Sequence, residues 1–402
     1  MLIDLTSILA SVILIVLAVM SWFSNPFFRA RNLFAPNLSL DEESNEGDNS
    51  AGETRLPAQE PSFKKWPRIS ILITAHDNAL ELDNHLPTLL SQDYPGIFEV
   101  IVVAEKGDGS TEDVLKRYLN NRRLYYTFIP DSSRYMSRKK LMITLGVKAA
   151  RYEWILLTEA SSTPLSDTWL KTIARNMTQD NNLVLGYSNY VKEAPAYYRF
   201  EQLRTSCYCL NKAKNGIAYR TNSNNVAFRK EDFIGKDGYR GNLQFLRGEY
   251  DFLVNKYAKR EKTAVETDIN AWVVDANPSK KLWRQQHANY LCVRQHLRRS
   301  KRFRLVYNFD HCLFHLNYLA ILLALVFSIF TSRWIITGIA ALMLVLTVLV
   351  RTRIARQVLK RAKTQIPVWK IVPYEISILW RTIKYFIWYM RTDKTEFSSH
   401  KV

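Results

Sequence analysis

The chain has four cysteines, Cys207, Cys209, Cys292 and Cys312, and no Cys-x-x-Cys pair, which argues against a zinc ribbon or a dithiol redox centre. Reduced thiols are expected, with Cys207 and Cys209 as small residues on a helix. Metal-type histidine spacing is also missing. His311 and His315 stand four apart on one helix face, but no Glu-His motif accompanies them, and they read as interface histidines together with His287 and His296. There is no internal repeat. No nucleic-acid-reading motif accompanies the formal charge of +19, so no nucleic-acid partner is expected.

The 402 residues are 47% hydrophobic, enough for one catalytic-sized domain plus accessory segments. The basic residues cluster beside long apolar runs, which points to an anionic membrane surface. The first run, "LIDLTSILASVILIVLAVMSWF", has the length of a spanning helix. It lacks a basic start and a clear small-residue cleavage site, so a retained anchor is expected rather than a signal peptide. "CLFHLNYLAILLALVFSIF" and "WIITGIAALMLVLTVLV" follow late in the chain and read as a helical hairpin through the bilayer.

Arg29 and Arg31 follow the first run; Arg298, Arg299, Lys301, Arg302 and Arg304 precede the second; Arg351, Arg353 and Arg356 follow the third. Only Arg333 lies in the opposite loop. The positive-inside rule then sets the middle of the chain in the cytoplasm, in a multi-pass protein of a bacterial-type inner membrane. The segment "YEISILWRTIKYFIWYM" mixes aromatic and aliphatic residues with Glu375, Arg381 and Lys384, and suits a helix lying in the membrane interface, with a fourth span as the alternative. Trp283, Trp334, Trp369, Trp380 and Trp388 are assigned mostly to membrane ends, and Trp154 and Trp169 to the domain core.

The boundaries that follow are an anchor at 1–24, a flexible acidic linker at 25–66 and a folded domain at 67–290. A basic amphipathic juxtamembrane segment at 291–311, the hairpin at 312–350 and an interfacial helix and tail at 351–402 complete the chain. Within the domain, "ISILITA", "FEVIVVA", "LYYTFIP" and "WILLTE" read as strands separated by helices. This order predicts an α/β fold with a mostly parallel, Rossmann-like sheet. In such sheets ligands sit beyond the carboxyl ends of the strands. Thr74 and the "HDN" of His76, Asp77 and Asn78 follow the first strand, Glu105 ends the second, and Glu159 ends a later one. Three acids at neighbouring strand ends can accept hydrogen bonds from a base and ribose and can hold a divalent ion; singly, each is equally well a solvated or helix-capping acid. Glu249 and Asp251, in "RGEYDFLVNKYA", can serve as a general base or simply favour a helix start.

From Arg68 to about Tyr290 the order of segments resembles the family 2 glycosyltransferases, whose nucleotide-sugar-binding fold is the type called GT-A. "ISILITAHDNA" resembles that family's first motif, and "LLSQDYPGIFEVIVVAEKGDGS" its Gln-x-Tyr-Pro and nucleotide-binding acid. "SRKKLMITLGVKAA" resembles its basic helix, and "WILLTEASSTP" its metal-binding Asp-x-Asp segment. The resemblance implies that Asp77 and Glu105 contact the nucleotide, that Lys139 approaches the diphosphate, and that Glu159 and Ser161 hold Mg²⁺ or Mn²⁺. It puts Glu249 at the base position, with Asp251 beside it, and Gln286 on the acceptor side. The implied reaction is an inverting transfer from a nucleotide sugar to a lipid-linked or membrane-associated glycan acceptor.

Four departures accompany the resemblance. Ser161 stands where the family carries its second acid, which removes one negative charge from the metal segment. Glu105 stands where aspartate is more usual, and Tyr250 separates Glu249 from Asp251. Asn289 in "QHANY" replaces the arginine of the Gln-x-x-Arg-Trp segment of processive polymer synthases, so polymer extrusion is not expected. These departures leave open a degenerate domain that binds or scaffolds within a membrane glycan-assembly complex.

Overall fold

The computed structural model describes residues 5–34, 65–130 and 137–393. Most of the expected acidic linker falls outside the described residues. Helix α1 (Leu5–Ser24) leads into the short α2 (Pro26–Ala30). The domain then runs β1 (Ile69–Ala75), α3 (Ala79–Leu90), β2 (Phe98–Glu105), α4 (Gly109–Arg117), β3 (Leu124–Ile129), α5 (Arg138–Ala149), β4 (Trp154–Glu159) and β5 (Ser162–Pro164). It continues with α6 (Trp169–Ala174), β6 (Leu183–Leu185), β7 (Ser188–Tyr190), α7 (Ala196–Lys214), β8 (Val226–Arg229), α8 (Lys230–Gly235), α9 (Glu249–Tyr257), β9 (Thr263–Val265), β10 (Val273–Asp275) and α10 (Lys280–Val293). Three long helices close the chain: α11 (Ser300–Phe330), α12 (Trp334–Arg361) and α13 (Ile371–Arg391).

A seven-stranded sheet has the order β3-β2-β1-β4-β8-β6-β9, and β5-β10-β7 form a second sheet of three strands. In the large sheet β1, β2, β3 and β4 are parallel, and only β8 runs against its neighbours. The fold is therefore mixed α/β with a mostly parallel main sheet. Strand alternation splits the core in two. Ile69, Ile71, Ile73, Val100, Val102, Trp154 and Leu156 face α3 and α6, whereas Leu72, Ile101, Val103, Ile155 and Leu157 face α5 and α7. The unbroken apolar runs in the sequence reflect this burial on both faces. Gly146 lets α5 lie close on the sheet, because a Cβ there would stand 2.2 Å from Leu72 Cδ1.

The second core layer extends past the domain. Phe27, Leu33 and Phe34 pack into it, as do Val358, Leu359, Ile371 and Ile378 from α12 and α13. Residues 25–34, within the stretch expected to be a linker, are thus docked on the domain: Phe27 meets Phe200, Phe34 meets Tyr187 and Trp272, and Asn211 donates to the Arg29 carbonyl. Their bulky apolar side chains account for the difference. Among the described residues α1, α11 and α12 are long and apolar enough to cross a membrane. Helix α11 begins at Ser300, so residues 300–311 of the expected juxtamembrane segment are continuous with the first hairpin helix, whereas 291–293 end α10.

Four charged residues meet where these helices join the domain. Arg351 of α12 holds both carboxylate oxygens of Glu375 in α13, at 2.8 and 3.1 Å, and reaches the Ser21 carbonyl of α1 at 2.7 Å. Asp310 of α11 pairs with Arg204 of α7 and accepts from Ser24 at 2.9 Å. Although counted as a membrane-facing cation, Arg351 is buried, because the four helices enclose it.

Candidate functional site

Because β1, β2 and β4 are parallel, their carboxyl ends share one edge, and Thr74 lies in register with Glu159. Beyond that edge is a cleft of about 770 Å³. Thr74, His76, Glu105, Lys139, Glu159, Ser161, Glu249, Asp251 and Gln286 all line it. Of the residues singled out from sequence, only Asp77 does not. Its side chain is 82% exposed, its backbone has φ 52°, and its N–H donates to Asp108 Oδ2 at 3.0 Å.

Glu105 is buried and accepts from Arg138 at 2.8 Å, with His76 Nδ1 at 3.3 Å. Arg138 and Lys139 open α5, where the Ser137 side chain caps the Lys140 N–H and donates to the Leu246 carbonyl at 2.7 Å. Lys139 Nζ is 2.5 Å from Glu159 Oε1, with the two side chains only 20% and 15% exposed. Beneath Lys139 lies the Tyr250 ring, its centroid 5.8 Å from the ammonium. Burial first, and the neighbouring Glu159 charge second, push the Tyr250 hydroxyl well above its ordinary range.

A buried lysine behind the cleft lining holds the approach to α9. Lys140 Nζ donates to the carbonyls of Asn242, Phe245 and Arg247, fixing the loop that leads into α9. Burial pulls its pKa down to about 8. That loop ends at Gly248, whose φ of 89° suits glycine and whose absent Cβ would stand 2.7 Å from Val293 Cγ2. Glu249 follows at the first position of α9, buried, with no hydrogen-bond partner for Oε1. Two residues on, Asp251 faces Arg220 at 3.9 Å, and Arg220 stacks on Tyr290 at 3.9 Å. Burial outweighs the guanidinium and raises Asp251 to about 6.

Sequence reasoning missed several lining residues. Asp275 ends β10, accepting from Ser162 at 2.5 Å and Asn224 at 3.1 Å, and burial raises it to about 6. Its signal was present: "WVVDANP" is another apolar run that ends in an acid. Arg220 sits in "AYRTNSNN", between elements, where no pattern marks it. Trp283, assigned to the membrane ends, is instead buried in the cleft wall, stacked on Tyr198 at 4.1 Å and donating to Tyr385. Trp154 and Trp169 are core residues, as expected. His311 approaches Arg204 through Nε2 and does not join His315 in a metal pair.

A divalent ion fits these donors poorly. Among the described residues no group of three or more His, Cys, Asp or Glu side chains is placed to hold one. Glu159 is already engaged by Lys139, and Ser161 offers only a neutral oxygen.

No family model matches the sequence, and no curated protein sequence does. Solved structures do match. The chain is similar to mannosyltransferase PcManGT from Pyrobaculum calidifontis, solved with GDP-Man and Mn²⁺, at 15% identity over 95% of this chain and 99% of that one, with a TM-score of 0.51. It also matches S. aureus TarS 1-349 in complex with UDP-GlcNAc, at 11% identity over 80% of this chain and 91% of that one, with a TM-score of 0.42. At these identities the likeness to PcManGT is one of fold, and the TarS match carries no further weight.

Proposed function

We propose that the protein is a membrane-anchored inverting glycosyltransferase of the family 2, GT-A type. The observation that carries this reading is the convergence of Glu105, Lys139, Glu159 and Glu249 on one cleft at the carboxyl edge of a parallel sheet. Glu105, held by Arg138 and His76, faces the nucleoside, and Lys139 at the start of α5 faces the diphosphate, where the helix amino terminus adds favourable field. The acceptor hydroxyl attacks the anomeric carbon as Glu249 takes its proton. The bond from that carbon to the phosphate oxygen breaks, and its electron pair leaves on the nucleoside diphosphate. The unpartnered Oε1 of Glu249 supports the base role.

Gln286, Tyr190, Trp283 and His287 line the side of the cleft built by α10, which packs on α13. Helix α13 leaves Trp380, Phe386, Ile387 and Met390 exposed, the pattern of a helix in the membrane interface. With α1, α11 and α12 spanning the bilayer and the domain on the cytoplasmic side, this wall receives a lipid-linked or membrane-associated glycan. The test is transfer of labelled sugar from a panel of UDP and GDP sugars into lipid extracts by the purified full chain. Labelled lipid lost in Glu249→Gln, with nucleoside diphosphate binding kept, is the expected result. No transfer from any donor, with binding intact, favours the scaffold reading and overturns the enzyme.

A further inference from the structure

The lysine in the cleft stands where a metal ion would be expected. We propose that the Lys139 ammonium takes the role of a divalent cation, so that the protein binds its nucleoside diphosphate without a metal ion. The inference rests on the donor-site reading above and deepens it. Two features that look unrelated in the sequence meet at this one atom, and a third lines the same cleft. Glu159 gives Lys139 a carboxylate partner at 2.5 Å. Tyr250, the residue that interrupts the two acids of α9, provides a ring face 5.8 Å from the ammonium. Ser161 removes the second negative charge that a dication would need.

Charge balance leads the same way. Glu159 is paired with Lys139, so a dication added beside them would meet a cation at contact distance and a carboxylate that is already engaged. The next acid on that wall, Asp275, is already held through Oδ1 by Ser162 and Asn224. A departing nucleoside diphosphate, by contrast, is a polyanion. It can draw the ammonium from Glu159 or share it, while Arg138 of the same helix turn stands by on Glu105. Lysine acts as a point charge and tolerates the change of oxygen partner better than a fixed fork would.

The experiment is calorimetric titration of the purified full chain with UDP and GDP, once in EDTA and once in Mn²⁺, alongside Mn²⁺ binding followed by its electron paramagnetic resonance. The wild type is expected to bind one of the two nucleotides equally in both buffers and to leave Mn²⁺ free. Lys139→Ala should weaken metal-free binding on the order of thirtyfold, since it leaves Glu159 unpaired before an anion. Lys139→Arg should keep metal-free binding within about threefold, because the charge is retained. The pair Lys139→Ala with Ser161→Asp should bind Mn²⁺ and make nucleotide binding depend on it. Binding by the wild type only in Mn²⁺ overturns the inference while leaving the donor site intact. Binding in neither buffer overturns the donor reading itself.

Discussion

Two clusters of buried charge, one in the cleft and one where α1, α7, α11, α12 and α13 meet, use the same kinds of side chain to opposite ends. At the helix junction Arg351 places Nε, Nη1 and Nη2 on Glu375 and Ser21, and Asp310 is held by Arg204 and Ser24. Arg351, Asp310 and Glu375 are no more than 2% exposed, so solvent and ligands have no access. In the cleft the carboxylates of α9 are less fully partnered. Asp251 and Arg220 stand 3.9 Å apart, and Glu249 keeps an oxygen without a partner. A buried carboxylate whose partners are complete holds a fold together, while one left incomplete is available to a substrate. The contrast supports the proposed placing of the site in the cleft better than acidic residues alone would.

The comparison can be broken most sharply at Glu249. Glu249→Gln should lower turnover by roughly a hundredfold to ten-thousandfold, with the melting temperature and nucleoside diphosphate affinity nearly unchanged. Kinetics and calorimetry on one preparation separate these quantities. At the junction the prediction inverts. Arg351→Met leaves the buried Glu375 carboxylate without its cation, while Asp310 keeps Arg204, and should destabilise the full chain in detergent by about 3–5 kcal/mol, read as a lower melting temperature. Adding Glu375→Leu should restore much of that loss, which a catalytic pair would not do.

Smaller effects probe the loop that leads into Glu249. Lys140→Met keeps the volume but orphans the carbonyls of Asn242, Phe245 and Arg247, at a cost of about 1–3 kcal/mol. Because these carbonyls set the loop before Glu249, turnover should fall further than stability does. Gly248→Ala should act alike, since it combines a φ of 89° with the Val293 contact. A crystal structure or hydrogen exchange across residues 242–250 would report the displaced loop.

The mildest expectation concerns pH. Asp251 and Asp275 are both raised to about 6 in the fold from an ordinary value of 3.8. A raised carboxylate favours the protonated folded state, so their contribution to stability is fully present below about pH 4 and is lost as the pH rises through about 6. Activity runs the other way. Protonating Asp251 removes its attraction for Arg220, and the rate should drop several-fold between pH 7 and pH 5. Asp251→Asn should flatten part of the stability profile and leave the Asp275 part in place.

The first half of the domain was legible because its signals are local. "WILLTE" is β4 residue for residue, and "ISILITA" is β1. The helix expected from about Ser137 to Ala150 is α5, a residue shorter at each end. Apolar runs bounded by polar loops fix such elements without distant contacts. Beyond Ser161 the strands are three or four residues long, too short for periodicity to mark, and the small sheet went unread. The junction was invisible for another reason. Arg351 touches Ser21 across 330 positions and Glu375 across 24, and nothing in either neighbourhood announces a partner. In the cleft, Glu105, Glu159 and Glu249 were found as acids at strand and helix ends. Tyr250 looked like an interruption until its ring was seen under Lys139.

Asn25 joins both halves of the molecule: its side chain caps α2 and donates to Glu375, two residues before the Phe27 ring enters the domain core. The first apolar helix is therefore a stiff post clamped into the α/β domain. A domain swinging on a loose cord could search a wide layer of cytoplasm above the bilayer. Under the proposed function, one bolted at this joint works at a set height, and its acceptors are selected by stature: sugars a fixed few bonds from the lipid headgroup come level with Glu249, and longer or shorter ones pass out of register.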